Sequence, residues 1–273
     1  RLGDVIRRTK IERGGAVKDL IFFLLGDPSM RLGYARQNAV TEKINGQAIE
    51  NHNDTIKALT KVKFEGRIET SDGQIMKDFS GKVYPTVFDK KQEVNTLNND
   101  GEGVWTYRDR TNMIFRGQSS VKNGRFEFEF IVPRDIFLNI GNGKVSYYAT
   151  DGYTTAKGAE ESFLIGGIGP DSISDSQGPE INLYMNDENF VSGGTTDSNP
   201  VLLAKFWDES GINTAAGAVG HDITAVLDED IQNTYSLNND YTADTDTYQS
   251  GSLRHILFDI EEGDHRIKLK ARD

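Results

Sequence analysis

The sequence predicts a mainly β protein: two Ig-like β-sandwich domains preceded by the terminal helix and strand of an α/β domain. Three observations lead to this prediction. After residue 34, apolar and polar residues alternate with a period of two, in short runs separated by turn signals. Residues 1–34 instead combine helical spacing with one continuous apolar run. A Gly/Pro/Ser/Asp-rich stretch and a change in charge then divide the β part near residue 175.

The first 34 residues have the pattern of the end of an α/β domain. Gly14-Gly15 would end a helix whose spaced residues are Leu2, Val5, Ile6 and Thr9. Residues 20–25 form an uninterrupted apolar run before Gly26-Asp27-Pro28, which is typical of a strand covered on both faces of a parallel sheet. Because residues 35–273 cannot supply such a sheet, we expect the chain to be the end of a larger protein. In isolation, this run should be disordered, packed on the first sandwich or paired with another copy.

Residues 35–167 are predicted to form the first β-sandwich domain. Alternation over 61–69 indicates a half-buried strand, and 80–89 a further strand in which Pro85 suggests an edge or a bulge. Asn123-Gly124 predicts a tight type I′ turn between two strands of a hairpin. Residues 95–103 should be a polar loop, and further strands are expected around 145–149 and 161–166.

Residues 168–177 are predicted to be a linker, and residues 178–273 a second, acidic Ig-like sandwich. Its expected inward faces are Ile181, Leu183 and Met185; Leu202, Ala204 and Phe206; Ile223, Ala225 and Leu227; and Ile267, Leu269 and Ala271. In an Ig-like sandwich, a strand such as 266–272 is normally followed by one more strand that pairs with it. We therefore expect a closing strand to be missing, the second sandwich to be less stable than the first, and an extension past Asp273 to stabilise it.

Charge and composition exclude several classes of function. The formal net charge is −11, and residues 175–273 hold six Lys and Arg against 19 Asp and Glu. Such a surface disfavours nucleic acid and anionic membranes, whose phosphates attract basic residues. The absence of cysteine excludes thiol nucleophiles, disulfides and thiolate metal sites. No apolar run reaches the length of a bilayer span.

No catalytic, cofactor-binding or metal-binding residue is predicted for this chain. Its histidines are expected at turns or strand ends, because no Gly-x-Ser-x-Gly motif is present and the adjacent His-Asp pairs would point to opposite faces of a strand. The four histidines are His52, His221, His255 and His265. The hypothesis that this chain is a hydrolase in its own right therefore has no visible catalytic residues to support it.

Two further kinds of site are considered against simpler explanations. Clustered oxygens of two polar loops could bind Ca²⁺, although solvation of the loops explains these polar residues better. The loops are Asn98-Asn99-Asp100-Gly101-Glu102, and Asn238-Asn239-Asp240 with Asp244 and Asp246. A row of exposed aromatic residues could bind carbohydrate, although aromatic residues in strands more often belong to the core. The candidates are Trp105, Tyr107, Phe115, Trp207, Tyr235, Tyr241 and Tyr248. A stand-alone adhesion or carbohydrate-binding module is accordingly the alternative hypothesis.

Several long segments resemble the gingipain-type cysteine peptidases, in particular the branch of type IX secretion system sortases. They are FFLLGDPSMRL (22–32), FRGQSSVKNGRFEFEFIVPRDI (115–136), GKVSYYATD (143–151), GPEINLYMNDENFVSGG (178–194), DESGINTAAGAVGHDITAVLD (208–228) and GSLRHILFDIEEGDHRIKLKARD (251–273). The resemblance implies a caspase-like peptidase domain upstream, whose catalytic His and Cys lie outside this chain. It also implies that the parent protein is a cysteine endopeptidase and transpeptidase, and that it is exported to the bacterial outer membrane or cell surface.

The resemblance also implies the activity of the parent protein and the partners with which it interacts. The parent would remove the C-terminal signal of exported cargo and join the cargo to a surface lipopolysaccharide anchor. This chain would then be a set of non-catalytic accessory domains. Its expected partners are the upstream catalytic domain, other secretion-system subunits and exported cargo, with no nucleic acid, no cofactor and no membrane span.

Overall fold

A computed structural model describes residues 1–14, 22–30, 33–169, 177–215 and 222–273. The chain divides into two compact units, residues 1–36 and residues 37–273. Within the described residues, regular structure consists almost entirely of strands, so the prediction of a mainly β protein is confirmed.

The first unit contains one helix, α1 (Leu2–Glu12), and a turn. The helix ends as predicted, since Gly14 adopts a positive φ of 74° just after it. The N–H groups of Leu2 and Gly3 donate to the carbonyl oxygens of Met30 and Pro28, both at 3.0 Å. The turn segment 28–30 therefore packs on the start of the helix.

The predicted strand 20–25 is not formed in its described part. Residues 20 and 21 lie outside the described residues, and residues 22–25 are irregular, with Phe22, Phe23 and Leu25 exposed. The physical reason is that the described part of this unit contains no strand to complete the backbone hydrogen bonds of an extended segment. An α/β sheet at this end of the chain thus remains a prediction.

The second unit begins with a sheet of nine strands, which forms most of the first β region (residues 37–169). Its central path runs β10-β4-β1-β13-β12-β5-β8, with β2 paired to β1 and β9 paired to β5. All these pairs are antiparallel except β1 with β13. The strands are β1 (Gln37–Ile44), β2 (Gln47–Ala48), β4 (Lys61–Glu69), β5 (Gly81–Phe88), β8 (Met113–Arg116), β9 (Ser119–Val121), β10 (Arg125–Ile131), β12 (Lys144–Thr150) and β13 (Thr155–Glu160).

Two smaller sheets complete this region. A three-stranded sheet has the order β11-β14-β3, and β6 and β7 pair only with each other as a separate hairpin. Their bounds are β3 (Thr55–Ala58), β6 (Gln92–Asn95), β7 (Thr106–Asp109), β11 (Gly141–Asn142) and β14 (Leu164–Ile168). The core between the sheets is aromatic: the Phe64 ring stacks on the Phe128 ring at 5.1 Å and meets the Phe163 ring edge-on at 5.6 Å.

Two local signals in this region have different outcomes: the predicted turn is confirmed, and of the two alternatives for Pro85 the edge strand is wrong. Asn123 and Gly124 have φ values of 51° and 72°, as the predicted type I′ turn between β9 and β10 requires. Pro85, by contrast, does not lie on an edge strand, because β5 is paired on both sides. It lies where the partner of β5 changes from β8 to β9, a break in the ladder that tolerates a residue without an N–H.

The second β region (residues 177–273) contains a four-stranded and a three-stranded sheet. Their orders are β15-β16-β20-β19 and β18-β17-β21, all antiparallel. The strands are β15 (Glu180–Met185), β16 (Val201–Trp207), β17 (Thr224–Leu227), β18 (Thr234–Ser236), β19 (Tyr241–Ala243), β20 (Ser250–Ile256) and β21 (Ile267–Lys270). Short 3₁₀ turns span Ile49–Asn51, Ile231–Asn233 and Asn238–Asp240.

The predicted inward faces of this region are largely present. Leu202, Ala204 and Phe206 on β16 are buried, as are Ala225 and Leu227 on β17, whereas those of β15 and β21 are half-buried. β21 pairs with β17 and stands at the edge of its sheet among the described strands. Most of the predicted linker lies in residues 170–176, outside the described residues. The division into domains at 167 and 178 and the missing closing strand therefore stay predictions.

Candidate functional site

The described histidines do not form a nucleophile–base pair. His265 uses both ring nitrogens, Nδ1 with the Asp228 carboxylate at 2.7 Å and Nε2 with the Glu261 carbonyl oxygen at 2.8 Å. The bond to Asp228 and then the Glu261 carbonyl raise the pKa of His265. His255 Nδ1 contacts the Asp240 carboxylate at 3.0 Å, and its ring packs on Tyr235.

No hydroxyl group is bonded to a histidine ring within the described residues. His52 has a buried Nδ1 for which that part of the chain supplies no partner, and His221 lies outside it. A His–Asp pair orients a base, but it needs a serine, threonine or cysteine beside it to act on a substrate. The geometry therefore assembles no hydrolytic centre from the described histidines.

The acidic loops considered as calcium sites direct their oxygens at their own backbone and at neighbouring side chains. The Asn98 side chain accepts the Gly103 N–H at 2.7 Å, and the Asp244 carboxylate accepts the Ser250 hydroxyl at 2.7 Å. Asn238 is buried and donates to the Thr214 carbonyl oxygen. Over the described ranges, no group of three or more His, Asp or Glu side chains is placed to hold a metal ion.

The aromatic residues considered as a carbohydrate platform are dispersed over the second unit. Phe115 and Tyr241 are buried, and Tyr235 and Tyr248 are half-buried. The three exposed members are Trp105 and Tyr107, which belong to the β6–β7 hairpin, and Trp207 at the end of β16. No single row of sugar-stacking rings results.

The structure does assemble a site that the sequence pattern did not predict, at the junction of the two β regions. Gln118 forms an isolated parallel bridge with Thr245, and the Lys82 ammonium group donates to both side chains at 3.1 Å. Asn213 of the second region donates to the Asp135 carboxylate of the first at 2.8 Å. These polar contacts attach the two regions to each other.

Asp246 is the centre of this junction. One carboxylate oxygen accepts the Ser120 N–H at 2.6 Å and the Ser119 hydroxyl at 3.1 Å, and the other accepts the Ser120 hydroxyl at 2.6 Å. Its own N–H donates to the Gln118 carbonyl oxygen at 3.0 Å. Partial burial raises the pKa of Asp246, but the bonds from Ser120 and Ser119 outweigh burial and leave this pKa below its usual value.

Replacing Asp246 with alanine is expected to loosen the junction. Three hydrogen bonds to a charged acceptor are lost at an exposed position, where water competes for them, so the free energy of unfolding should fall by about 1 kcal/mol. Hydrogen exchange at the Ser120 amide should accelerate at the same time. Asp244→Ala is the matched control, because Asp244 lies in the same loop but bonds to Ser250 within the second region. Equal exchange at Ser120 in both variants would contradict this role for Asp246.

The same junction is expected to weaken in acid. Because the pKa of Asp246 is lowered on folding, its stabilising contribution is complete above the ordinary aspartate pKa of 3.8 and is lost as the pH falls through the lowered value. Protection of the Ser120 amide should therefore decrease below about pH 4 in the wild type. The Asp246→Ala variant should lack this pH-dependent step, and an identical step in both proteins would assign it to another group.

The fold and this junction define the structural class of the protein: it is a β protein of several sheets whose two β regions are joined by polar contacts.

No family model matches the chain, and no curated protein sequence matches it significantly. Among solved structures, it is similar to dimeric latent PorU from Porphyromonas gingivalis, with 33% sequence identity over 98% of this chain and a TM-score of 0.52. This chain spans 26% of the length of PorU.

A second match is too distant to inform on function. The sporulation control protein Spo0M from Bacillus subtilis is 12% identical over 82% of this chain and 91% of its own length, with a TM-score of 0.27. The similarity to PorU is therefore the comparison on which the functional interpretation depends. None of the described helices is both long and apolar enough to cross a bilayer.

Proposed function

We propose that this chain is a non-catalytic accessory region of a type IX secretion system sortase of the gingipain-type cysteine peptidases. The observation that carries this proposal is the 33% identity with PorU over 98% of this chain. The parent protein would cleave the C-terminal signal of exported cargo and attach the cargo to a surface anchor. Its catalytic His and Cys would belong to an upstream caspase-like domain, of which residues 1–34 would form the end.

The structure suggests how such a region would contribute without catalysing a reaction. Two β regions joined by the Asp246 junction make a preformed support that can hold a catalytic domain and its cargo in a constant relation. The proposed partners are the upstream catalytic domain, other secretion-system subunits and exported cargo, at the outer membrane or cell surface.

A chimera tests this proposal directly. The part of PorU that matches this chain is replaced by residues 1–273, and removal of the cargo's C-terminal signal is measured in Porphyromonas gingivalis cells. Cargo processing should be retained, whereas an unrelated β-sandwich of similar length at the same place should abolish it. A chimera that is exported in normal amounts but leaves the cargo unprocessed would refute the proposal.

The isolated chain is expected to be inactive. It contains no cysteine, and the described histidines have no nucleophile beside them. Incubation with a peptide that bears the cargo's C-terminal signal should give no cleavage above background, measured by mass spectrometry. Cleavage that disappears when one residue of this chain is substituted would contradict the non-catalytic assignment.

The alternative, a stand-alone adhesion or carbohydrate-binding module, is not favoured. It predicts an exposed platform of aromatic rings, whereas the exposed Trp105 directly precedes β7 and the exposed Trp207 ends β16, which belongs to a different sheet. It also leaves the apolar run at 20–25 without a role. Binding to glycans that is lost with Trp105→Ala or Trp207→Ala would reverse this preference.

A further inference from the structure

A side chain completes the backbone hydrogen bonding where β21 begins. β21 pairs with β17 and ends the order of its sheet among the described strands. The ladder continues one pair further, because the Asp228 N–H donates to the Arg266 carbonyl oxygen at 2.7 Å. The Arg266 N–H donates to the Asp228 carboxylate at 2.8 Å. The start of β21 is therefore held by Asp228, the residue that directly follows β17.

The turn after β17 directs the Asp228 carboxylate toward the segment before β21. Asp228 and Glu229 have φ values of 55° and 60°, in the left-handed region that aspartate enters more readily than most residues. One carboxylate oxygen accepts the Arg266 N–H, and the other contacts Nδ1 of His265 at 2.7 Å. One carboxylate thus holds both the backbone and the neighbouring side chain at the beginning of the strand.

The two partners of the His265 ring define its charge. Nδ1 contacts the Asp228 carboxylate, and Nε2 contacts the Glu261 carbonyl oxygen at 2.8 Å. The bonds from Arg266 and His265 lower the pKa of Asp228, so this carboxylate is ionised at neutral pH. An ionised carboxylate and a carbonyl oxygen accept hydrogen bonds and cannot donate them. Both ring nitrogens must therefore carry a hydrogen, and only the imidazolium form has two.

The charged residues on the two segments that meet at His265 favour this cation. Among residues 228–229 and 261–266, five carboxylates stand against one guanidinium group: Asp228, Glu229, Glu261, Glu262 and Asp264 against Arg266. The guanidinium group itself contacts the Glu229 carboxylate at 3.5 Å. The surrounding charge therefore acts in the same direction as the two hydrogen bonds.

We propose that His265 is a pH-dependent clamp: as the imidazolium it joins the turn after β17 to the loop before β21, and it releases one of them when the ring loses a proton. The neutral ring has one N–H, so one of the two oxygen partners would then face a nitrogen lone pair. The contribution of the clamp is complete below the ordinary histidine pKa of 6.5 and is lost as the pH rises through the raised pKa of His265. This inference does not depend on the proposed accessory function.

The test uses the full chain and follows the ring nitrogens of His265 and the exchange of the Arg266 amide by NMR, from about pH 5 to about pH 9. Exchange is expressed as a protection factor, so that its intrinsic pH dependence cancels. The His265 ring should titrate above 6.5, and protection of the Arg266 amide should fall about two- to fivefold over the same titration. Protection of the Leu253 amide in the centre of the other sheet should stay constant. A ring that titrates at or below 6.5, or constant protection at Arg266, would overturn the proposal.

Two variants separate the charge of the clamp from its shape. Asp228→Asn keeps an oxygen for the Arg266 N–H and tolerates the same backbone conformation, but its amide nitrogen can donate to Nδ1, which suits the neutral ring. The pKa of His265 should therefore fall toward its ordinary value, and the exchange step should move to lower pH with it. His265→Gln should abolish the step.

His255→Gln is the matched control. Within the described residues His255 contacts one acceptor, the Asp240 carboxylate at 3.0 Å, so a neutral ring can satisfy it. This variant should keep the wild-type step at Arg266. A step that stays at the same pH in both Asp228→Asn and His265→Gln would assign it to another group and exclude the clamp.

Discussion

Replacing Asp89 with alanine is expected to lower the free energy of unfolding by about 3–5 kcal/mol. Asp89 is fully buried, and one carboxylate oxygen contacts the Lys90 ammonium group at 2.6 Å. The other accepts the Phe137 N–H at 2.8 Å, and Lys90 in turn donates to the Phe137 carbonyl oxygen at 2.6 Å. Loss of the carboxylate would leave a buried ammonium group with one neutral acceptor. Urea denaturation measures this change.

Two controls show whether this cost arises from the buried unpaired charge. The double variant Asp89→Leu/Lys90→Met removes both charges and should be much closer to the wild type than Asp89→Ala is. Lys205→Ala removes an equally short but exposed contact to Glu188 and should have no measurable effect. If the double variant is as unstable as the single one, the cost comes from the shape of the site rather than from charge.

Replacing Phe64 with alanine is expected to destabilise the first β region by about 3–5 kcal/mol. The Phe64 side chain is fully buried and lies at the centre of the aromatic cluster, 5.1 Å from the Phe128 ring and 6.3 Å from the Phe130 ring. Phe128 and Phe130 both lie on β10, which is held to β4 by backbone hydrogen bonds, so these rings cannot collapse fully into the cavity. Thermal and urea unfolding of the whole chain should both show the loss.

The exposed residue Phe258 supplies the matched control. It lies in the second region and is 67% exposed, so Phe258→Ala should change stability little. Phe64→Leu should recover part of the loss, because it restores much of the buried volume. A Phe64→Ala protein as stable as Phe258→Ala would mean that the aromatic cluster is not the core of this region.

Local patterns were sufficient to predict several elements. The β9–β10 hairpin was predictable because Asn123-Gly124 demands a type I′ turn and because Phe126, Phe128 and Phe130 alternate with charged residues. The end of α1 was predictable from Gly14, because glycine readily adopts the positive φ with which helices commonly end. In each case, neighbours along the chain determine the conformation.

Other elements were not predictable because distant partners determine them. β1 was not assigned as a strand, and it pairs in parallel with β13, more than 100 residues later. The run at 20–25 has the composition of a buried strand, yet residues 22–25 are exposed and irregular. A strand needs backbone partners, and composition does not state whether they are present.

The candidate site depended on tertiary structure to a greater degree. Asp246 was considered only as one oxygen ligand of a loop, whereas in the structure it accepts hydrogen bonds from Ser119 and Ser120, some 126 residues away. The position of β10 at the end of its sheet order is equally invisible to the sequence, since alternation shows that a segment is a strand but not whether both of its sides are paired.

The sequence by itself determined the β class, the β9–β10 turn, the acidic character of the last hundred residues and the resemblance to the sortase family. Each of these depends on residue type and on spacing along the chain. Only the tertiary structure decided the sheet order, the buried Asp89–Lys90 pair and the Asp246 junction. These depend on which distant segments meet, and backbone hydrogen bonding and burial settle that only once the whole chain is folded.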